Sequence, residues 1–161
     1  MAATLVLSVS TASGPTLADS VTGIDLISAD NATNTLANRQ ANPITVGTNS
    51  YEKWIRLKIT AAPTNYVQSF QVWFNSTVDT STTLYFTGAY VTYQTGTTAT
   101  STIANAVATT YTSGNKAIWD LISYSQTSSY TKYLVMQLRV DATAGPGNWT
   151  QQTVNYSYQE A

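Results

Sequence analysis

Residues 50–74 read SYEKWIRLKITAAPTNYVQSFQVWF, and this stretch decides the fold class. Ile55, Leu57 and Ile59 alternate with Arg56 and Lys58, the pattern of a strand with one face in a core and the other turned outward. Trp54 joins Arg56 and Lys58 on the outer face by the same parity, while Lys53 falls on the other side. Pro63 and Asn65 turn the chain, and Phe70, Val72 and Phe74 then alternate with Ser69, Gln71 and Trp73. Paired side by side, the two strands would set Trp54 and Trp73 in one aromatic patch outside the core. A second sheet or a loop laid over them would instead cover both rings. The Arg56/Lys58 face reads either as a contact to an acidic partner or as a solvent face kept soluble by charge. Trp54, Arg56, Lys58 and Trp73 are the candidate protein-contact residues.

Working outward, Leu5, Leu7 and Val9 alternate and predict a first strand over residues 3–10, broken by Gly14 and Pro15. Residues 21–27 (VTGIDLI) predict a weak or bulged strand. Residues 30–49 are rich in Asn, Thr and Ala and read as a long connection, either a plain surface loop or an arm that reaches a neighbouring subunit. After the central stretch, residues 84–93 (LYFTGAYVTY) are rich in strand formers on both faces, with Gly88 marking a bulge. Residues 94–112 are Thr- and Ala-rich, a long loop or a weak strand near 103–111. Ile118, Trp119 and Ile122 in KAIWDLISY (116–124) have helical spacing, so one short helix is expected there, with a strand as the alternative. Residues 130–140 form a firm strand with Leu134, Met136, Leu138 and Val140 inward and Gln137 and Arg139 outward. The AGPGN turn at 144–148 leads into Val154, Tyr156 and Tyr158, which predicts a closing antiparallel hairpin.

Six or seven strands, frequent turns and no βαβ spacing predict an all-β fold. The expectation is a single antiparallel β-sandwich, jelly-roll or immunoglobulin-like, with at most one short helix and an extended N-terminal segment. One domain is expected, with residues 1–49 as N-terminal strand and arm and residues 50–161 as the sandwich body.

Composition narrows the chemistry. Charged residues make up only 9% of the 161-residue chain, and formal net charge is -1, so no basic field attracts nucleic acid. Ser and Thr fill the gap with 45 residues, which suits broad contact with protein surfaces. There is no Cys and no His, which excludes a disulfide scaffold, Cys-ligated zinc and an intact Ser-His-Asp triad. The eight carboxylates form no calcium-loop pattern, and no glycine-rich phosphate loop opens a helix. Glu52 and Asp141 flank firm strands and could meet by folding as glycosidase-type acids, although among eight acids some pair always could. The apolar run at residues 5–9 is too short for a leader core or a membrane span, so a complete, unprocessed, soluble chain is expected, with no cofactor, no membrane and no nucleic-acid partner. Eleven Tyr and four Trp keep a sugar-stacking platform in view.

NSYEKWIRLKIT at 49–60, VQSFQVWF at 67–74 and VMQLRVDATAGPGNWTQQTVNYSYQE at 135–160 resemble a group of small virion structural proteins of tailed bacteriophages, which tend to share a YEKWLRL opening and a closing PGN hairpin. The likeness covers residues 49–160; Trp149 and the run at 94–112 lie outside its pattern. The resemblance implies a non-enzymatic capsid decoration (cement) protein on the outer surface of the virion head. It implies the major capsid protein as partner, self-association as a homotrimer at local three-fold points, and attachment through many weak, repeated contacts. An arm formed by residues 1–49 would then suit strand addition to a neighbour. A carbohydrate-binding module of a tail fibre or bacterial surface protein is the competing reading, and a tail or neck structural protein the third.

Overall fold

The computed structural model describes residues 2–11, 16–75, 81–145 and 153–161. The strands are β1 (Thr4–Thr11), β2 (Thr16–Asp19), β3 (Lys53–Ala61), β4 (Val67–Asn75), β5 (Thr82–Tyr90), β6 (Ala106–Val107), β7 (Ala117–Asp120), β8 (Tyr133–Val140) and β9 (Thr153–Glu160). They form a six-stranded sheet in the order β2-β1-β3-β8-β5-β6 and a three-stranded sheet in the order β7-β4-β9, with every pairing antiparallel. The fold is an antiparallel all-β sandwich.

The alternation read in β3 and β4 decides the packing. Ile55, Leu57 and Ile59 are fully buried, joined by Leu134, Met136 and Leu138 of β8 and by Leu84 and Phe86 of β5. Phe70, Val72 and Phe74 of β4 face them from the smaller sheet, and Phe74 meets Phe86 with ring centroids 4.8 Å apart. The two consecutive strands therefore lie in opposite sheets and do not pair. The aromatic patch that pairing would have made of Trp54 and Trp73 does not form, because the turn at Pro63 carries the chain from one layer to the other.

The closing hairpin is corrected in the same way. β8 pairs with β3 and β5, and β9 pairs with β4, so the chain crosses between sheets after Val140. Residues 146–148 of the AGPGN turn, like Gly14 and Pro15, lie outside the described residues.

Within residues 116–124 the strand β7 (Ala117–Asp120) forms, and no helix does. Ala117 and Trp119 point in and Ile118 points out, a period of two that outweighs the 3.6-residue coincidence of Ile118, Trp119 and Ile122. Gly88 explains why β7 fits there: a Cβ at Gly88 would stand 2.2 Å from the Ile118 carbonyl oxygen. The β5–β8 register shifts between Thr87 and Tyr90, and Ala89 takes a φ of 62°, so the expected bulge is present.

The N-terminal third is built into the body. β1 is an interior strand, paired with β3 from Thr4 to Ser10. Residues 21–27 form no strand. Ile27 is buried, Ile24 and Leu26 pack on the core, and Ile27 accepts a backbone hydrogen bond from Tyr51. The short helix of the fold, α1 (Leu36–Ala41), lies in the segment read as loop or arm, and Thr35 caps it by accepting from the Asn38 N–H at 3.2 Å. Residues 20–50 thus close one end of their own sandwich. Lys53 fixes this closure: it sits at the end of the inner face of β3, 1% exposed, and donates to the carbonyls of Ala29 and Asn31, each at 2.8 Å.

Candidate functional site

The four predicted contact residues separate into three environments. Trp54 lies on the outer face of the six-stranded sheet, as parity required, but it is 1% exposed. Its ring is boxed edge-on by Tyr90, Tyr93 and Tyr133 with centroids 5.3, 5.4 and 5.5 Å away. Its Nε1 donates to Glu52 Oε2 at 3.3 Å. Trp54 is therefore a second-core residue and not a contact residue.

The cover over Trp54 comes from Tyr90, Tyr93 and the first part of the Thr/Ala-rich run, through Ile103 and Ala104. Residues 106–111 continue to the sheet edge through β6 and pack Ala108 and Tyr111 into the main core. Small side chains in the covering part let its backbone approach the sheet. A Cβ at Gly96 would come within 2.9 Å of the Glu52 carbonyl oxygen. Gln137 and Arg139 do point outward, as read, and they hold this cover down. The Gln137 amide is fully buried; its Nε2 donates to Ser50 O, Thr97 O and Ala99 O, and its Oε1 accepts from the Ser101 N–H at 2.8 Å. Arg139 donates to Ser101 O and Ala104 O and lies 3.8 Å over the Tyr85 ring. Gln137→Leu keeps the volume but removes these hydrogen bonds; Thr97 O keeps the Glu52 N–H, while Ala99 O and the Ser101 N–H lose the side chain that ties them to the sheet. It is expected to cost about 2 kcal/mol, read as a lower urea midpoint at unchanged slope.

Arg56 and Lys58 stay together at the uncovered end of the same face. The Arg56 guanidinium stacks on Tyr130 at 4.0 Å and Tyr133 at 4.8 Å. Lys58 pairs with Asp19 of β2, which also accepts from Ser8 Oγ at 2.6 Å and from the Tyr130 hydroxyl. The hydrogen bond from Lys58 holds the Asp19 carboxyl below its usual range, and the Asp19 bond raises the Lys58 ammonium. The basic face read from sequence is thus a mixed-charge rim of Arg56, Lys58, Asp19 and Tyr130. The sequence offered no signal that Asp19 would join it, since the β1–β2 register sets Asp19 opposite Ser8, which lies opposite Arg56.

Trp73 lies on the far side of the molecule, on the outer face of the three-stranded sheet. Lys116 Nζ stands 4.5 Å over its ring and reaches on to Ser157 Oγ at 3.4 Å. Next to it the sheet exposes Ile118, and the loop beyond exposes Leu121 and Ile122. These apolar residues were missed because a helical reading placed Ile118 and Ile122 on a buried face; strict alternation through Ala117, Ile118 and Trp119 would have found the first of them.

Asp120, at the end of β7, is fully buried and serves structure. It accepts from the N–H groups of Ile122 and Lys132 and from the Tyr124 hydroxyl, and burial with this bond pushes the Tyr124 phenol up. Glu52 and Asp141, the pair singled out as possible acids, differ in setting: Glu52 is buried against Trp54 and Asp141 is exposed. Among the described residues, no three of His, Cys, Asp and Glu gather in a metal-binding group, and no helix is long and apolar enough to cross a membrane. Two surface hollows are acid-free: one of about 340 Å³ runs between Phe86 and Ile118, and one of about 630 Å³ is lined by Thr45, Asn49 and Thr97 among other neutral residues.

No protein-family model, curated protein or solved structure matches this chain.

Proposed function

We propose that this chain is a non-enzymatic virion structural protein that decorates the outer surface of a tailed-phage head and bridges adjacent capsomers of the major capsid protein. The observation that carries this reading is a pair of side-chain groups on opposite outer faces. One is the mixed-charge rim of Arg56, Lys58, Asp19 and Tyr130; the other is the exposed apolar residues Ile118, Leu121 and Ile122 at and beyond β7. A body with one sticky face coats a surface, whereas two opposed faces can tie two neighbours together, and repetition around a shell multiplies weak contacts. The shell itself enters from the resemblance of residues 49–60, 67–74 and 135–160.

The same geometry weighs against the sugar-binding alternative. Sugar stacking needs an open ring face. Trp54 is enclosed, Trp73 lies under Lys116, Tyr130 under Arg56 and Tyr85 under Arg139, which leaves Tyr66 and Tyr156 as the exposed rings among the described residues. Trp149 lies outside the described residues.

Arg56→Glu adds a second carboxylate to the half-buried rim that carries Asp19. It is expected to leave the fold intact and to weaken attachment to shells lacking the protein by roughly tenfold, the scale of one interface hot spot. Co-sedimentation with such shells reads the effect. Wild-type occupancy by this variant and by Leu121→Asp would sink the bridging assignment. Glycan binding lost on Trp73→Ala would move the function to the sugar reading.

A further inference from the structure

The three-stranded sheet stops at β9. β4 pairs along one side of β9 from Thr153 to Glu160, and among the described residues no backbone group pairs along the other side. Alternate residues of an antiparallel strand present their N–H and C=O to each edge, so this side is a template for another strand. The usual protections are missing. The strand TVNYSYQE has no Pro and no Lys, and its one charge is Glu160 at its last position.

Its side chains specify what fits. Val154, Tyr156 and Tyr158 share the inner side of the sheet, since Val154 lies opposite Phe74 and Tyr156 opposite Val72, both core residues. Val154 and Tyr158 pack on the core, but Tyr156 between them is 40% exposed, with the Trp119 ring edge-on at 6.2 Å. Tyr156 is inward by parity and exposed because the sheet ends there. Thr153, Asn155, Ser157 and Gln159 form the outer side, polar and uncharged.

We propose that a second copy of this chain adds its own β9 antiparallel to this edge, about a two-fold axis through Tyr156. Residues directly opposite in an antiparallel pair lie on the same face. With the axis at 156, position 156 meets 156, position 154 meets 158, 155 meets 157, and 153 meets 159. Every inner pair is apolar or aromatic and every outer pair is polar and uncharged, while Glu160 lies beyond the last pair. Tyr156 is covered by its own symmetry mate, and the two small sheets merge into one of six strands, β7-β4-β9-β9-β4-β7. An isologous contact of this kind uses each interaction twice. The inference rests on this edge alone and stands or falls independently of the shell assignment.

The absence of cysteine makes the register directly testable. Directly opposed residues have Cα atoms about 4.5–5.5 Å apart, within the range that a disulfide spans. Tyr156→Cys in the full chain is therefore expected to give a covalent dimer under mild oxidation, and Asn155→Cys, whose opposite residue is 157, to stay largely uncross-linked. Sedimentation should show a wild-type dimer, with Tyr156→Lys weakening it by about tenfold or more through two facing ammonium groups. An equimolar mixture of Tyr156→Lys and Tyr156→Glu, each folded by circular dichroism, should regain the dimer. A wild-type monomer or trimer in solution would overturn the proposal, as would equal cross-linking at positions 155 and 156.

Discussion

Trp54→Ala is expected to destabilise the protein by about 3–5 kcal/mol, the cost of emptying a well-packed aromatic site. The ring is enclosed by Tyr90, Tyr93 and Tyr133 and backed by Ala104 and Val135. Removing it leaves a cavity between the sheet and the run at 94–112, and deprives Glu52 of its indole donor. Amide exchange should accelerate first around Ile103 and Ala104, which pack in the Trp54 cluster from outside the sheet. A contact residue would behave in the opposite way, with unchanged stability and altered binding. Chemical denaturation distinguishes the two: a loss under about 1 kcal/mol is the surface range and would return Trp54 to the contact surface.

Alkaline stability is governed by Lys53. Burial lowers its ammonium from 10.5 to about 8, against the opposing pull of Asp30 and Asp25. Below pH 8 the folded and unfolded chains both hold this proton, and stability carries the full cost of the buried charge. Between about pH 8 and 10.5 the unfolded chain binds more protons than the folded one, so stability rises with pH. The neutral amine keeps two hydrogens for the carbonyls of Ala29 and Asn31, so the tie can persist. The full gain is on the order of 3 kcal/mol. Above pH 10 the trend reverses. Burial raises the phenols of Tyr93, to about 12, and of Tyr124 and Tyr158, so the folded chain then holds protons that the unfolded chain has released. Urea midpoints measured from pH 7 to 11 should pass through a maximum near pH 10. Lys53→Met should abolish the rise and keep the fall; a rise that survives in that variant would mean that another group carries it.

Much of the core could be read from residues 50–74 and 130–140, because strict alternation is a local property. Ile55, Leu57, Ile59, Phe70, Val72, Leu134, Met136 and Leu138 are all buried as expected. What could not be read was sheet membership. A turn signal between two strands suggests a hairpin, yet β3 to β4, five residues apart, and β8 to β9, twelve apart, both change layers, because each pair needs its apolar face turned toward the other across the core. Burial on the outer face was likewise hidden. Nothing in Gln94–Thr112 announces a cover, since its small residues act by allowing close approach and Gln137 supplies the hydrogen bonds. The contact prediction failed at Trp54 for that reason, whereas Arg56 and Lys58 kept their shared face. Trp73 kept its outward side but on the other sheet. Residues 30–49 read as a loop or an arm because their apolar residues are sparse; Ile24, Leu26, Ile27 and Ile44 suffice to seal one end of the sandwich.

Electron cryo-microscopy of purified particles carrying this chain tests the decoration role most directly. The account predicts density for the sandwich on the outer head surface, with the Arg56–Lys58 rim against one capsomer and Ile118, Leu121 and Ile122 against its neighbour. Density at the tail tip or neck, or particles without the chain, would contradict it.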